Sequence, residues 1–309
     1  MLLYIGDVHI KNTNVVKITT LIENIQKSEI ELQAIIIGGD LLHYHEKVNT
    51  YDVNMAIKLM ETCGAKATTY VLVGNHDYVD NNQFLSDLHW MNKLKISRVI
   101  IVDKPKKMIF ESGEFHVLIP YVQSGRMVEA LNKIPDWKEA QCVWAHQEIA
   151  GCKMNAITSN CDDEWKPNWP QLISGHIHEF QQWDNVFYPG SCINHSTGHS
   201  QGLVWIEFKD DEMEWTRSSL GLAEKFNKLI VTNKAETIKL KKSTKQVEFR
   251  GTLNEFLEFK KSSCFKQLVD AGVECKFKQT KSTIVKDFFQ EMEKIVPSHL
   301  REKWNAIKK

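Results

Sequence analysis

Short apolar runs that end in polar or glycine residues recur along the chain. The first three are MLLYIGDVH at residues 1–9, AIIIGGD at 34–40 and TTYVLVGNHD at 68–77. Their apolar parts are continuous and do not alternate with polar residues, which is typical of strands buried on both faces of a sheet. The pattern therefore predicts three interior strands in the first third of the chain.

The segments between these runs carry apolar residues at helical spacing. VVKITTLIENIQKSEI at residues 15–30 and DVNMAIKLMETCGAK at 52–66 each predict an amphipathic helix, and Gly64 is expected to end the second one. The resulting order is β-α-β-α-β, which predicts parallel strands joined by right-handed crossovers.

The middle of the chain has a different pattern. Three further apolar runs are QCVWAH at residues 141–146, QLISGHIH at 171–178 and NVFYPGS at 185–191. KKMIFESGEFHVLIPYV predicts a hairpin around Ser112-Gly113, and GLVWIEFKDDEMEWTRSS predicts another that turns at Asp210-Asp211. The β-α-β-α-β order of the first third, followed by antiparallel hairpins, predicts an α/β (α+β) fold. In this fold two mixed β-sheets pack together, with helices on the outside.

The pattern changes again after residue 220. QVEFRGT, a helical stretch at residues 253–272 and VECKFKQTK predict a small βαβ unit. A final segment with Ser282-Thr283 as N-cap carries an apolar stripe from Ile284 to Ile295. We therefore predict a large domain at residues 1–220, a small basic α/β domain at 221–281, and a helical segment at 282–309. The stripe can dock onto a partner or pack on its own domain.

Composition limits the class of protein. The chain has 309 residues, and no apolar run in it approaches the roughly 18 residues that a membrane span needs. The start of the chain reads directly into a polar motif and has no basic leader, so secretion is not expected. The seven cysteines form no CxxC pair, which predicts reduced thiols in a cytoplasmic or nuclear protein.

Charge is distributed unevenly although the formal net charge is zero. Residues 1–220 hold 19 basic and 28 acidic residues, a balance of −9, whereas residues 221–309 hold 20 and 11, a balance of +9. Such asymmetry fits a basic module that meets nucleic acid, and it also fits an ordinary solvated basic surface.

Five polar clusters stand where strands are predicted to end. They are Asp7-Val8-His9, Gly39-Asp40, Gly74-Asn75-His76-Asp77, His146, and Gly175-His176-Ile177-His178. Ligands gathered beyond the carboxyl ends of parallel strands are the usual way in which an α/β sheet builds a site. Carboxylates, imidazoles and one amide, without thiolates, suit Mn, Fe or Zn better than a closed structural zinc site.

The spacing within the clusters adds to this interpretation. In an extended strand end, the side chains of residues i and i+2 point in the same direction, so Asp7 and His9 are expected to bind the same ion. Asp40 is placed to bridge two ions, and two divalent cations about 3.5–4 Å apart are a known arrangement for phosphoryl displacement. His76 is expected to supply a proton or positive charge near the leaving oxygen, with Asp77 orienting its ring.

At these residues the sequence resembles the calcineurin-like metallophosphoesterase superfamily, over about residues 1–208. The resemblance implies a four-layer sandwich of sheets and helices and a catalytic role for His76. It also implies one metal at Asp7, His9, Asp40 and His178, and a second metal at Asp40, Asn75, His146 and His176. Mn²⁺ is the expected ion, with Mg²⁺, Fe²⁺ or Zn²⁺ as alternatives.

GGDLLHYHE, SGHIH and YPGS resemble a narrower group, the SbcD-type nuclease subunit of the double-strand-break repair complex. This resemblance implies an exonuclease that acts in DNA repair and recombination, with an additional endonuclease activity left open. It also implies that His43 assists exonuclease action, that a small α/β domain caps the catalytic domain and that a terminal helical segment docks onto an SMC-like ATPase. His195 and His199 are either extra phosphate contacts or loop histidines without chemistry, and a homodimer is left open.

Two other functions remain open. A small-molecule phosphodiesterase acting on cyclic nucleotides or nucleotide pyrophosphates shares the same ordered motifs, although such an enzyme rarely needs a basic carboxy-terminal domain. A non-catalytic scaffold is less favoured, because all expected ligand positions hold residues able to bind a metal.

Overall fold

The computed structural model describes residues 1–45, 48–154, 157–195, 202–209, 212–218, 227–232, 244–270 and 273–279. These residues belong to two compact units, Met1–Ala223 and Glu224–Lys309. The segment predicted to be helical at residues 282–309 lies outside the described residues. Among the helices that are described, none is long and apolar enough to cross a membrane.

The first sheet of the larger unit contains the three predicted interior strands. Its order is β14-β13-β1-β2-β3-β4. The strands are β1 (Leu2–Ile5), β2 (Ala34–Ile37), β3 (Thr69–Leu72), β4 (Val99–Val102), β13 (Leu203–Lys209) and β14 (Glu212–Ser218). Strands β1 to β4 are parallel, as predicted, and the hairpin of β13 and β14 adds antiparallel to β1.

Both predicted helices of the first third are present. They are α1 (Val15–Lys27) and α2 (Thr50–Lys66), so α2 continues two residues past the stop that was expected at Gly64. The Asn49 side chain caps α2 by accepting a hydrogen bond from the backbone N–H of Tyr51. Ile18, Leu21, Ile22 and Ile25 form the buried face of α1, at the spacing that one side of a helix requires.

The second sheet has the order β11-β12-β10-β7-β6-β5. Its strands are β5 (Lys106–Ile109), β6 (Phe115–Leu118), β7 (Cys142–His146), β10 (Gln171–Gly175), β11 (Gln181–Trp183) and β12 (Val186–Tyr188). Strands β6, β7, β10 and β12 are parallel, and the two edge strands pair antiparallel. The hairpin of β5 and β6 turns where it was predicted, with Gly113 at φ 89°. Between β7 and β10 lies a small hairpin, β8 (Lys153–Met154) and β9 (Ile157–Thr158).

The two sheets pack face to face through alternate residues of their strands. Leu2, Tyr4 and Ile36 of the first sheet share a buried cluster with Trp144 and Phe187 of the second. The intervening residues of β1 and β2 point to the opposite face, where they pack against α1 and α2. On the outer face of the second sheet lies α3 (Met127–Leu131). The predicted fold of two packed mixed sheets flanked by helices is therefore confirmed.

The smaller unit has a parallel three-stranded sheet in the order β15-β16-β17. The strands are β15 (Asn227–Thr232), β16 (Thr244–Gly251) and β17 (Glu274–Gln279), and β15 was not predicted. The predicted single helix between β16 and β17 is two helices, α4 (Leu253–Lys261) and α5 (Ser263–Asp270). They separate at Ser262, whose backbone is extended and whose hydroxyl accepts from the N–H of Phe265.

Candidate active site

The polar segments that follow the central strands meet at one edge of the sheets. Because these strands are parallel within each sheet, their carboxyl ends lie together. The converging side chains are those of Asp7 and His9 after β1, Asp40 after β2, Asn75 and His76 after β3, His146 at the end of β7, and His176 and His178 after β10. All seven predicted metal ligands therefore lie at a single site.

Asp7, His9 and His178 form the first group, in which the ligand atoms lie within 4.8 Å of one another. The Nε2 atom of His9 is 3.0 Å from the Nε2 atom of His178 and 3.4 Å from Oδ2 of Asp40. Oδ1 of Asp7 accepts a hydrogen bond from the backbone N–H of His176 at 2.9 Å. Oδ2 of Asp7 is buried without a hydrogen-bond partner among the described residues.

Asp40, His146 and His176 form the second group, again within 4.8 Å. Nε2 of His146 lies 3.3 Å from Oδ2 of Asp40 and 3.2 Å from Oδ1 of Asn75. Nδ1 of His176 lies 3.0 Å from the same Asn75 oxygen. Oδ2 of Asp40 therefore faces both groups, as expected for a bridging carboxylate.

The nitrogen and oxygen atoms of the two groups are better suited to binding divalent cations than to hydrogen bonding with one another. Nε2 of His9 faces Nε2 of His178, and Nδ1 of His9 is buried without a hydrogen-bond partner among the described residues. Burial lowers the pKa of His146, but the carboxylate of Asp40 outweighs that effect and raises it to about 9. A positive charge is thus favoured beside Asp40, and a divalent ion can take the place of the proton. Nitrogen and oxygen donors without thiolate match Mn, Fe or Zn.

Four residues of the site have a left-handed backbone conformation that residues other than glycine rarely adopt. Asp7 and His9 have φ 45°, Asp40 has φ 52° and His176 has φ 77°. The extended strand end expected for Asp7 and His9 is therefore wrong, although both side chains do reach the same group. Left-handed backbone of this kind concentrates at functional sites, where packing must hold it in place.

Two glycines make the close approach of the strand ends feasible. Gly39 has φ 97°, and a Cβ atom there would collide with the ring of His146. A Cβ atom at Gly74 would collide with the carboxylate of Asp40. The ring of His146 is fixed from its other side, since Nδ1 donates to the carbonyl of Gly38 at 2.6 Å. This bond leaves Nε2 to face Asp40 and Asn75.

His76 lies outside the predicted ligand set, although one of its ring nitrogens lies within 4.8 Å of ligand atoms of His9 and Asp40. Its Nδ1 atom donates to the backbone carbonyl of His43 at 2.8 Å, and its backbone N–H donates to Oδ1 of Asp40 at 2.8 Å. The His76 ring meets the His9 ring edge-on with centroids 4.8 Å apart. The protonated Nδ1 leaves Nε2 as the nitrogen available for chemistry.

Asp77 does not make the contact that was expected of it. Its carboxylate accepts hydrogen bonds from the N–H groups of Leu41, Leu42 and Gly74 and from the indole of Trp90. Asn75–Asp77 is one turn of 3₁₀ helix, in which successive side chains point in different directions. Asp77 therefore ties the loop after β2 to the loop after β3, and the carbonyl of His43 orients the His76 ring in its place.

His43 lies next to a lysine at the edge of the site. The Nζ atom of Lys11 is 3.5 Å from Nε2 of His43, and the His43 ring stands edge-on to the His9 ring at 5.4 Å. Burial, together with the charge of Lys11, lowers the pKa of His43 to about 4. His43 is consequently neutral near pH 7, and the positive charge at this edge belongs to Lys11.

Two further histidines lie at the site, of which His45 was not predicted from the sequence and His195 was left open between a phosphate contact and a loop histidine without chemistry. His45 stacks on the His76 ring with centroids 4.4 Å apart and an interplanar angle of 25°. His195 bonds the backbone carbonyl of Asp7 through Nε2 at 2.7 Å, and its ring contacts His9 and His178. The His-Tyr-His alternation at residues 43–45 was the signal that could have revealed His45. His199 lies outside the described residues.

A cavity of about 690 Å³ opens beside His76. Residues 43–45 line it from the loop after β2, and Val79, Asp80 and Asn81 line it from the loop after β3. The site thus combines two buried groups of metal-binding side chains, a histidine with one available nitrogen, and open space for a ligand next to that histidine.

Comparison with known proteins agrees with this arrangement. The family described as "Calcineurin-like phosphoesterase" matches residues 2–180. The chain is 38% identical over 301 residues to "Putative phosphoesterase 078R" of Invertebrate iridescent virus 3, covering 92% of this chain and 86% of that protein. It is 43% identical over 219 residues to "Putative phosphoesterase 244L" of Invertebrate iridescent virus 6, covering 69% and 77%. The matched family region contains every predicted ligand, and the chain belongs to the calcineurin-like phosphoesterase family.

Proposed function

We propose that this phosphoesterase is a DNA nuclease that depends on two divalent metal ions, with Mn²⁺ as the expected ion. The observation that carries the proposal is the shared carboxylate of Asp40, which faces two ligand groups beside His76 and an open cavity. Asp7, His9, Asp40 and His178 would hold one ion, and Asp40, Asn75, His146 and His176 the other. When bound, two such ions activate water and neutralise charge on the phosphate.

His76 is the proposed proton donor to the leaving oxygen. Its Nδ1 proton is committed to the carbonyl of His43, so the ring orientation is fixed. The proton for the leaving oxygen comes from Nε2 of the ring in its doubly protonated form, which returns to the neutral ring with Nδ1 still protonated. The stacked ring of His45 covers one face of His76 and restrains its tilt. These contacts hold the His76 ring in place before a substrate binds. Such positioning accounts for a large part of the rate enhancement that a proton donor provides.

Lys11 and His43 support the proposal that the substrate is a nucleic acid and not another phosphate ester. The Lys11 ammonium lies at the edge of the site, 3.5 Å from His43, where it can contact a phosphate oxygen. The GGDLLHYHE segment, which contains His43, is the stretch that resembles the SbcD-type nucleases. The balance of +9 in residues 221–309 adds a further source of attraction to DNA.

The proposed partner is an SMC-like ATPase, and the proposed setting is DNA repair or recombination. Its support is the same resemblance together with the apolar stripe from Ile284 to Ile295, which lies outside the described residues. An amphipathic helix can bind in the groove of a partner protein, and it can also pack on its own domain. The first test addresses the nuclease activity of the chain alone.

The test supplies the purified chain with Mn²⁺ and two substrates, a linear DNA duplex and methyl p-nitrophenyl phosphate. We expect digestion of the duplex, weakening steeply as salt rises because phosphate contacts release counterions. The Asp40→Asn variant, prepared in the same way, measures contaminating nuclease. Cleavage of the simple diester with DNA untouched would favour a small-molecule phosphodiesterase, and no activity with no bound metal would favour a scaffold.

A further inference from the structure

The cavity beside His76 is not needed to hold the metal ions. His43 and His76 line it directly, so whatever occupies it adjoins the phosphate that reacts at His76. Its volume of about 690 Å³ lies within the range of pockets that enclose small organic ligands. An inference about its occupant rests on the proposed function, because that function places a phosphodiester at its inner end.

The charges on the cavity wall disfavour a second phosphate group. Asp80 contributes a carboxylate to the cavity wall. Oδ1 of Asp80 is fixed by hydrogen bonds from the N–H of Asn82 at 2.7 Å and from Nε2 of Gln83 at 3.1 Å. A fixed carboxylate repels phosphate and accepts hydrogen bonds from N–H or O–H groups. The chemistry of the wall therefore suits an uncharged group with polar edges.

Two apolar side chains of the wall are unusually exposed. Tyr44 is 52% exposed and Val79 is also 52% exposed. The rings of Tyr44 and His43 form a T-shaped contact, with centroids 4.6 Å apart at an interplanar angle of 72°. A T-shaped contact uses at most one face of a ring, so His43 leaves at least one face of the Tyr44 ring unused. An exposed aromatic ring next to a phosphate site is the usual platform on which a nucleobase stacks.

Asn81 couples the cavity to the candidate metal centre. Its Oδ1 atom accepts a hydrogen bond from Nδ2 of Asn75 at 3.5 Å, while Oδ1 of Asn75 faces His146 and His176. The carbonyl of Asn81 is thus directed at the metal centre, and its amide N–H groups are left as donors. A donor at Asn81 and an acceptor at Asp80 match the mixed edge of a nucleobase.

From this combination we propose that the cavity is a nucleobase subsite. The base of the nucleotide next to the scissile phosphate stacks on Tyr44, with its polar edge toward Asp80 and Asn81. The subsite gives the enzyme affinity for nucleotides over simple diesters. Stacking does not depend on base identity, so the subsite accepts all four bases.

The binding test uses deoxyadenosine 5′-monophosphate and inorganic phosphate as probes, with Mn²⁺-loaded protein and calorimetry. We expect the nucleotide to bind more tightly than phosphate, and Tyr44→Ala to weaken the nucleotide by about 5- to 100-fold more than it weakens phosphate. Tyr44→Phe keeps the ring and is expected to restore the nucleotide affinity. Tyr51→Ala is the matched control, since Tyr51 is 49% exposed and does not line the cavity.

The outcomes separate this proposal from the nuclease proposal. If Tyr44→Ala weakens both probes equally, or if the nucleotide binds no better than phosphate, the nucleobase subsite is refuted even when DNA is digested. If nucleotide affinity depends on Tyr44 while DNA stays intact, the subsite stands and the nuclease proposal fails. Thymidine 5′-(p-nitrophenyl phosphate) compared with methyl p-nitrophenyl phosphate gives a second readout, the ratio of their kcat/KM values, which Tyr44→Ala should lower.

Discussion

Two regions of the larger unit, strand β6 and the strand ends of the candidate site, contain buried histidines whose surroundings differ. His116 lies in β6, where Nδ1 accepts from the indole of Trp144 at 3.0 Å and Nε2 bonds Oε1 of Gln141 at 3.1 Å. At the strand ends, Nε2 of His9 faces another ring nitrogen, and Nδ1 of His9 is buried without a partner among the described residues. Both rings are almost inaccessible to water, so burial alone does not distinguish them.

The difference lies in what satisfies the ring nitrogens. Buried polar groups normally find a protein partner, as His116 does, because an unpaired buried group is costly. At the strand ends, imidazole nitrogens face the carboxylate of Asp40, the amide oxygen of Asn75 and each other, an arrangement that a bound cation satisfies. The comparison of His116 with His9 teaches that the partners of the ring nitrogens differ where burial does not, and each prediction below tests one side of that contrast.

The largest effect is expected at Asp40. Asp40→Asn keeps an oxygen that can accept from the N–H of His76 but removes the charge that faces both groups. We expect turnover of a diester to fall by about 10³-fold or more, because stabilisation by the ions is worth several kcal/mol. Equilibrium dialysis against Mn²⁺ should show the loss of at least one bound ion.

Asp163→Asn is the matched control for this change. Asp163 is also a buried carboxylate, but it accepts from the backbone N–H groups of Gly125 and Met127 and from the side chain of Gln147. Its variant should bind the full complement of Mn²⁺. Full metal content in Asp40→Asn would show that the shared carboxylate does not hold the ions.

The next effect is expected at His76. Replacing it by alanine should lower kcat by about 10²- to 10⁴-fold, since a positioned proton donor contributes that much. Metal content should not change, because the seven predicted ligands remain. His116→Gln is the control, as a change at a histidine whose partners are all within the protein. Wild-type kcat in His76→Ala would remove this histidine from the mechanism.

Much of this contrast could be predicted from the sequence, because position along a strand is readable there. His146, His176 and His178 follow apolar runs and so fall at strand ends, whereas His116 lies inside an alternating hairpin strand. The partners of His116 could not be predicted, because pairing of β6 with β7 brings Trp144 and Gln141 to it from distant positions in the chain.

The errors have local causes. Asp77 was assigned to the His76 ring because the two are neighbours in sequence, but the 3₁₀ turn sends its carboxylate to the backbone of the preceding loop. The left-handed backbone at Asp7 and His9 could not be foreseen, since the surrounding packing and not the residue type imposes it. Ser262 divides a segment whose apolar spacing continues on both sides of it, so periodicity alone gave one helix.

The smallest effect is expected at His116 and concerns stability. Burial lowers the pKa of His116 from 6.5 to about 4. Between these two pH values the unfolded chain binds the proton and the folded protein does not, so the free energy of unfolding falls as pH is lowered from 6.5 to 4. For one histidine this loss reaches about 3 kcal/mol at most. His116→Gln removes this titration, so its free energy of unfolding should fall less over the same interval, although the variant is less stable at pH 7.5.

Urea unfolding at a series of pH values measures the free energy of unfolding of the wild type and of His116→Gln. The histidines at the strand ends contribute equally to both proteins, so their contributions cancel in the difference. Val117→Ala, a change at a buried neighbour in β6, should destabilise the protein without altering the pH dependence. It therefore separates a loss of packing from a loss of titration. Parallel pH profiles for the wild type and His116→Gln would mean that the pKa of His116 is the same in the folded and the unfolded protein, so that burial does not lower it.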